Sequence, residues 1–159
     1  MSYKHAAAQG AFGDALIQAL TPIGLGQALQ PNAGAIIKVV LEIAVSESQL
    51  KLQSDVRFWL WQGQGKVNIV FTLTVDRQNP RIWIEKWESA GDREHRTQQV
   101  TVYRGANNRI YTTGDLLTIE FPNLFLRNTS CPKEAYIQFP QDVLENLAIP
   151  IWLAQKFDV

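Results

Sequence analysis

The feature that most constrains this chain is the segment at residues 36–45, where β-branched and apolar side chains are interrupted only by Lys38 and Glu42. A nearly continuous apolar run of this kind is typical of a strand that is buried on both faces. We therefore expect a strand here, in the centre of a sheet. An ionised carboxylate of Glu42 in such surroundings must find a metal, a cation or several hydrogen-bond donors, or it takes up a proton.

Helical patterns lie on both sides of this segment. Apolar residues recur at helical spacing over residues 6–20 and predict an amphipathic helix that Pro22 and Gly24 end. After the strand, Ser46 and Gln49 have the spacing of a capping box, which predicts that a second helix starts there with Ser46 as its N-cap. The buried stripe of this second helix is expected to be Leu52, Val56, Trp59 and Leu60.

The middle of the chain alternates between apolar and polar residues with the period of a strand. Residues 67–75 predict a half-buried strand, and a turn at 77–80 joins it to a strand at 81–88. Further predicted elements are strands at 99–104 and 116–121 in an antiparallel meander, an edge strand at 136–139, and a helix at 141–157 that Pro150 kinks or splits.

The order helix, strand, helix, meander, helix predicts a single mixed α/β domain over residues 1–159, with a central mixed sheet flanked by helices. The 15 basic and 15 acidic residues cancel, so any phosphate contact must come from a local patch. With one cysteine, no internal disulfide forms, and no apolar run is long enough to cross a bilayer. We expect an intracellular protein, cytoplasmic or nuclear, with no membrane partner.

The residues just described also carry a resemblance. The segment 39–48, the pattern at Leu50, Leu52, Asp55, Trp59 and Leu60, and the strands at 67–75 and 82–88 are similar to a group of small fungal proteins. These resemble in turn the Uma-type endonucleases of the restriction-endonuclease-like (PD-(D/E)XK) superfamily. The resemblance covers roughly residues 30 to 90. It implies a restriction-endonuclease-like core and hydrolysis of phosphodiester bonds with Mg²⁺ or Mn²⁺.

The site that the resemblance implies is incomplete here. Glu42 matches the acidic strand residue, which would bind the metal and help it to activate water. Asn32, after Pro31, stands where the family has an aspartate, and Ala44 stands where the family has a lysine. Residues that could substitute are Asp14 as a metal ligand, and Lys51 and Asp55 as catalytic groups.

Each of these residues also has a plain structural interpretation. Glu42 could form a buried pair with Lys38 or Arg57. Lys51 and Asp55 have the spacing of an ordinary charge pair on the wet face of a helix.

Nucleic acid contacts are predicted from a basic region and from two tryptophans. Arg93, Arg96 and Arg104 could contact phosphates, although a solvated loop is the alternative for this region. Trp83 and Trp87 project from one face of their strand and could stack on bases, although core packing is the alternative. Glu85 and Lys86, between these tryptophans, are interpreted as strand surface.

Three functions remain open at this point. The first is a metal-dependent nuclease of DNA or RNA with a degenerate catalytic signature. The second is a catalytically inactive version of that fold, which binds nucleic acid or a protein. The third is an oligomeric interaction module, such as a homodimer, because apolar strands and five tryptophans leave a surface to cover.

Overall fold

A computed structural model describes residues 3–25, 39–45, 48–62, 67–125 and 128–157. Its elements in chain order are α1 (Tyr3–Leu20), β1 (Val39–Ala44), α2 (Gln49–Gln62), β2 (Ile69–Val75), β3 (Arg81–Ala90), β4 (Arg93–Arg104), β5 (Ile110–Gly114), β6 (Leu117–Glu120), α3 (Phe121–Leu124), β7 (Tyr136–Phe139) and α4 (Gln141–Ala154). The mixed α/β prediction is confirmed, with a mixed central sheet and flanking helices.

The central sheet has five strands in the order β1-β2-β3-β4-β5. β1 and β2 are parallel and connected through α2, whereas the remaining neighbours are antiparallel. Among the described strands β1 therefore lies at the edge, and the prediction of a central position is wrong. Its apolar run has another cause, because α1 contacts one face of β1 and α2 contacts the other.

β2 is buried on both faces, which corrects the prediction of a half-buried strand. Ile69, Phe71 and Leu73 belong to the main core, which α1 and α4 cover. Val70, on the opposite face, packs against α2 in a smaller cluster. We call these two sides of the sheet the α1 face and the α2 face.

The main core fills the space between the α1 face, helices α1 and α4, and a small second sheet of β6 and β7. Phe12 of α1 lies 5.3 Å from Phe71 of β2, measured between ring centroids. The buried stripe predicted for the C-terminal helix is confirmed: Leu144, Leu147, Ala148, Ile151 and Trp152 are all buried. Pro150 does not split the helix, since α4 runs continuously from Gln141 to Ala154.

The meander differs from its prediction in two places. β4 already begins at Arg93, and its register with β3 shifts between Lys86 and Trp87, which is a β-bulge. β6 leaves the central sheet and pairs with β7 instead. The basic segment that we considered a solvated loop is therefore strand from Arg93 onward.

The start of α2 is capped two residues later than predicted. The hydroxyl Oγ of Ser48 accepts a hydrogen bond from the backbone amide of Lys51 at 3.3 Å, which is the geometry of an N-cap. Ser46, the predicted cap, lies outside the described residues. The predicted buried stripe of α2 is confirmed for Leu52, Val56 and Leu60.

Candidate nucleic acid interface on the α2 face

Strand register aligns polar side chains in a row across the α2 face. Glu42 pairs with Thr72, Thr72 with Glu85, and Glu85 with Gln99, so all four project from the same side of the sheet. α2 covers one end of this side, where its apolar residues pack against Val70 and Trp87. At the other end of the α2 face, around the half-buried Trp83, no described helix covers the sheet, and we call this end the open sheet face.

Glu85 is the buried charge of this row. Its side chain is 5% exposed, and its Oε1 accepts a hydrogen bond from Arg96 Nη1 at 2.7 Å. Its Oε2 accepts one from Thr72 Oγ1 at 3.2 Å, and that hydroxyl accepts one from Trp87 Nε1 at 3.2 Å. The interpretation of Glu85 as strand surface is therefore wrong. One feature of the sequence did indicate that Glu85 is buried, because it alternates with Trp83 and Trp87 on one face of the strand.

A pocket of about 270 Å³ opens above Glu85. We call it the Glu85 pocket, and its lining residues are Gln49, Thr74, Trp83, Glu85, Arg96 and Gln99. Gln49 is the first residue of α2, so the pocket lies where the helix begins and its cover of the sheet ends. Gln99 is fixed by the β4–β5 hairpin, because its backbone amide donates to Asp115 Oδ2 at 2.9 Å. Gly114 allows that close approach with a φ of 108°.

Aromatic rings and an arginine lie beside this pocket. Arg81 Cζ is 6.0 Å from the ring centroid of Trp83 and 5.8 Å from that of Tyr103. Tyr103 stacks on Tyr111, with ring centroids 5.6 Å apart and planes 24° apart. A side chain at Gly105 would meet the Tyr111 ring at 2.6 Å, so the glycine lets that ring lie flat. We call Arg81, Trp83, Tyr103 and Tyr111 the aromatic–arginine patch.

Lys86 projects from the opposite, α1 face and is 1% exposed, so its interpretation as strand surface is also wrong. Its Nζ lies 2.9 Å from Glu120 Oε2 and 3.6 Å from Glu88 Oε2. Partial burial would raise the pKa of Glu120. The hydrogen bond and charge of Lys86, with the amides of Glu120 and Asn123, outweigh this and hold that pKa below its ordinary value. Lys86 thus has two carboxylate partners.

The predicted catalytic residues lie on β1 and α2. The indole Nε1 of Trp59 donates a hydrogen bond to Glu42 Oε1. Lys51 and Asp55 form an ion pair at 2.9 Å, and they lie on the same stripe of α2 as Trp59 because the three residues are spaced four apart. Arg57, a suggested partner of Glu42, instead pairs with Glu94 at 2.7 Å.

The predicted metal ligands do not come together in the described part of the chain. Glu42 projects from the α2 face, whereas Asp14 is exposed on α1, on the other side of the sheet. Asn32 lies outside the described residues. No group of three or more His, Cys, Asp or Glu side chains that could hold a metal ion occurs within the described ranges. The two described candidates, Glu42 and Asp14, therefore cannot share one metal ion.

The predicted nucleic acid contacts divide between both faces. Trp83 and Arg96 line the Glu85 pocket, whereas Trp87 is buried beneath α2. Arg93 lines a different pocket of about 470 Å³ beside the exposed side of α2. Arg104 follows Tyr103 and projects from the α1 face, where its Nη1 is buried without a hydrogen-bond partner. The residues that the sequence interpretation missed are Arg81, Glu85, Gln99, Tyr103 and Tyr111.

Comparison of the chain with protein-family models, with curated proteins and with solved structures finds no match. The resemblance to the Uma-type endonucleases therefore stays a prediction. Among the described helices, none is long and apolar enough to cross a membrane.

Proposed function

We propose that this chain binds single-stranded nucleic acid through the open sheet face. The observation that carries the proposal is the aromatic–arginine patch, where the guanidinium of Arg81 lies near the rings of both Trp83 and Tyr103. Unpaired bases stack on aromatic rings and on guanidinium planes, and this stacking tolerates any base sequence. In a duplex the base faces are already stacked on each other, so a single strand is the better ligand for such a surface.

The charge of the chain sets the expected strength of the phosphate contacts. The chain as a whole carries no net charge, so only local cations attract the backbone. Arg96 is paired with Glu85, so Arg81 is the cation of the open sheet face that we assign to a phosphate contact. For a single strand, the slope of log affinity against log salt is about −0.7 per neutralised phosphate, so one contact gives a slope of about −0.7. Stacking therefore supplies most of the affinity.

Fluorescence anisotropy with a labelled single-stranded DNA or RNA of mixed sequence tests this proposal. Trp83→Leu removes one stacking surface and should weaken binding about 5- to 150-fold, which corresponds to about 1–3 kcal/mol per stacked base. The matched control is Trp61→Leu, since Trp61 is 49% exposed but lies on α2, away from the patch. Circular dichroism establishes that both variants are folded. Equal affinities of the two variants, or no binding by the parent protein, would overturn the proposal.

A metal-dependent nuclease is the second candidate. The observation in its favour is that Glu42 lies in the same row as Glu85, on the face that the bound strand would cross. Against it, the carboxylate of Glu42 is bonded to Trp59, and within the described ranges no group of three or more His, Cys, Asp or Glu side chains could hold a metal ion. We therefore expect neither the parent protein nor Glu42→Gln to cleave single- or double-stranded DNA or RNA in Mg²⁺ or Mn²⁺. Cleavage by the parent protein alone would establish the nuclease.

The predicted homodimer stays a prediction. Leu50, Phe58 and Trp61 are exposed on the outer side of α2 and are the apolar side chains that a dimer could cover. Analytical ultracentrifugation of the parent protein and of Phe58→Ser measures this directly. A monomer at micromolar concentration would exclude a stable dimer.

A further inference from the structure

The polar wall of the Glu85 pocket places a donor beside two acceptors. Arg96 Nη1 donates to Glu85 Oε1 at 2.7 Å, so one edge of the guanidinium lies next to one oxygen of the carboxylate. Arginine has five N–H donors and a carboxylate has about four lone-pair sites, so the bonds with each other and with Thr72 leave several of both unused. Both side chains line the pocket. A ligand entering it meets a donor from Arg96 followed by the acceptors of Glu85.

The order of one donor followed by acceptors in the pocket is complementary to the hydrogen-bonding edge of one nucleobase, guanine. The Watson–Crick edge of guanine presents an acceptor, O6, followed by two donors, N1–H and N2–H. Cytosine presents a donor and then two acceptors. This is the same order as in the pocket, so donors would face donors and acceptors would face acceptors. Uracil and thymine place an acceptor at the third position, opposite the carboxylate. Adenine has only one donor on that edge, so guanine is the base that matches all three positions.

The other walls suit a single base. Trp83 provides an aromatic surface on which a base can stack. The volume of about 270 Å³ is just below the range of about 300–1,000 Å³ that is usual for drug-sized ligands, which favours one base over a larger molecule. Because Glu85 is buried and acceptor-only, a base that places an acceptor against its carboxylate is rejected strongly.

We infer that the Glu85 pocket binds a guanine base, with Glu85 accepting from N1–H and N2–H, Arg96 donating to O6, and Trp83 stacking on the ring. The inference rests on the proposed function, because the guanine is presented by a single strand. Trp83 belongs to both the pocket and the aromatic–arginine patch, so the neighbouring bases of that strand reach Arg81 and Tyr103. The open sheet face then combines one selective position with unselective stacking beside it.

The experiment compares labelled ten-residue thymidine oligonucleotides that carry one central guanine, adenine, cytosine or hypoxanthine. We expect the guanine oligonucleotide to bind at least about 10-fold more tightly than the adenine and cytosine ones, since a good bidentate base contact gives this discrimination. Hypoxanthine lacks the N2 amine and should be intermediate. Unlabelled guanosine monophosphate, measured separately by calorimetry, distinguishes a free nucleotide from a base within a strand.

Variants assign the preference to the pocket. Glu85→Gln replaces an acceptor with an amide of the same shape and should abolish the guanine preference while binding to plain thymidine oligonucleotide persists. Since Glu85 is buried, Arg96→Gln provides a second variant at a side chain that is 46% exposed, and it should reduce the preference about 10-fold. Arg93→Gln, at an exposed arginine of the same strand outside the pocket, is the control and should leave the preference unchanged.

The outcomes separate the two proposals. Equal binding of guanine and adenine oligonucleotides overturns the guanine inference and leaves the binding proposal standing. A guanine preference that survives in both Glu85→Gln and Arg96→Gln also overturns the inference, since it assigns the selectivity elsewhere. Binding of guanosine monophosphate without any oligonucleotide binding supports the pocket and overturns the proposed function. No binding of either probe overturns both.

Discussion

Removing the two glutamates around Lys86 should destabilise this protein more than removing Lys86 itself. The reason is an asymmetry in exposure: the side chain of Lys86 is 1% exposed, whereas those of Glu88 and Glu120 are 23% and 40% exposed. When one partner of an ion pair is deleted, the cost depends on whether water can reach the charge that stays behind. Water reaches the two carboxylates but not the ammonium.

The expected magnitudes follow from this difference. In the double variant Glu88→Gln/Glu120→Gln the ammonium stays buried without a counter-charge, which costs about 3–5 kcal/mol. In Lys86→Met the volume of the side chain is roughly kept and the two carboxylates can be hydrated, so we expect a loss of about 1–2 kcal/mol. Combining all three changes removes the buried charge and should restore the stability nearly to that of Lys86→Met.

Urea unfolding followed by tryptophan fluorescence measures these free energies. The free energy of unfolding of the triple variant should exceed that of the double variant by about 1–4 kcal/mol, although it carries one substitution more. If Lys86→Met is as unstable as the double variant, or if the triple variant is no more stable than the double, then the buried ammonium is not what the glutamates stabilise and the reasoning fails.

Three further predictions concern the same scaffold. Gly114→Ala should lower the free energy of unfolding by about 1–3 kcal/mol, because a φ of 108° is strained for any residue with a Cβ; unchanged thermal stability would contradict this. Ser48→Ala should cost about 1 kcal/mol in urea unfolding, since it leaves the Lys51 amide without its cap. The lowered pKa of Glu120 means that its ionised form stabilises the fold above the unfolded-state pKa of about 4.3, and that this contribution is lost as the pH falls below that value. In Glu120→Gln the free energy of unfolding should therefore decrease less as the pH falls. If its pH dependence is unchanged, the contact between Glu120 and Lys86 does not cause the loss of stability in acid.

The sequence was most informative where the relevant contacts are local. Helical and strand periodicity located the long elements, and the alternation of Trp83, Glu85 and Trp87 on one face was already visible. The edge position of β1 was not, because an apolar run records burial by helices and says nothing of how many strands lie beside it. The burial of Lys86 depends on Glu120, which is 34 residues away and belongs to a different sheet.

Glu42 illustrates how far such reasoning extends at a candidate site. Its position in an apolar run requires a partner, and the structure provides one, the indole of Trp59 on the helix that crosses over the strand. The requirement follows from the chemistry of a carboxylate, but the identity of the partner follows from packing. The suggested partner Arg57 instead pairs with Glu94 of β4 and holds the pKa of Glu94 below its ordinary value through a hydrogen bond.

Neighbouring charges on β3 show why burial alone does not identify a functional residue. Lys86 is buried, and two glutamates neutralise its ammonium, so its charge interacts with other groups of the protein. Glu85 is also buried, but its charged partner Arg96 is 46% exposed, and both line the Glu85 pocket, which we propose as the guanine site. Because adjacent strand residues point to opposite faces, Lys86 faces the core while the neighbouring Glu85 faces a pocket. Binding experiments should therefore target the α2 face, where a ligand in the Glu85 pocket would leave the packing of the main core unchanged.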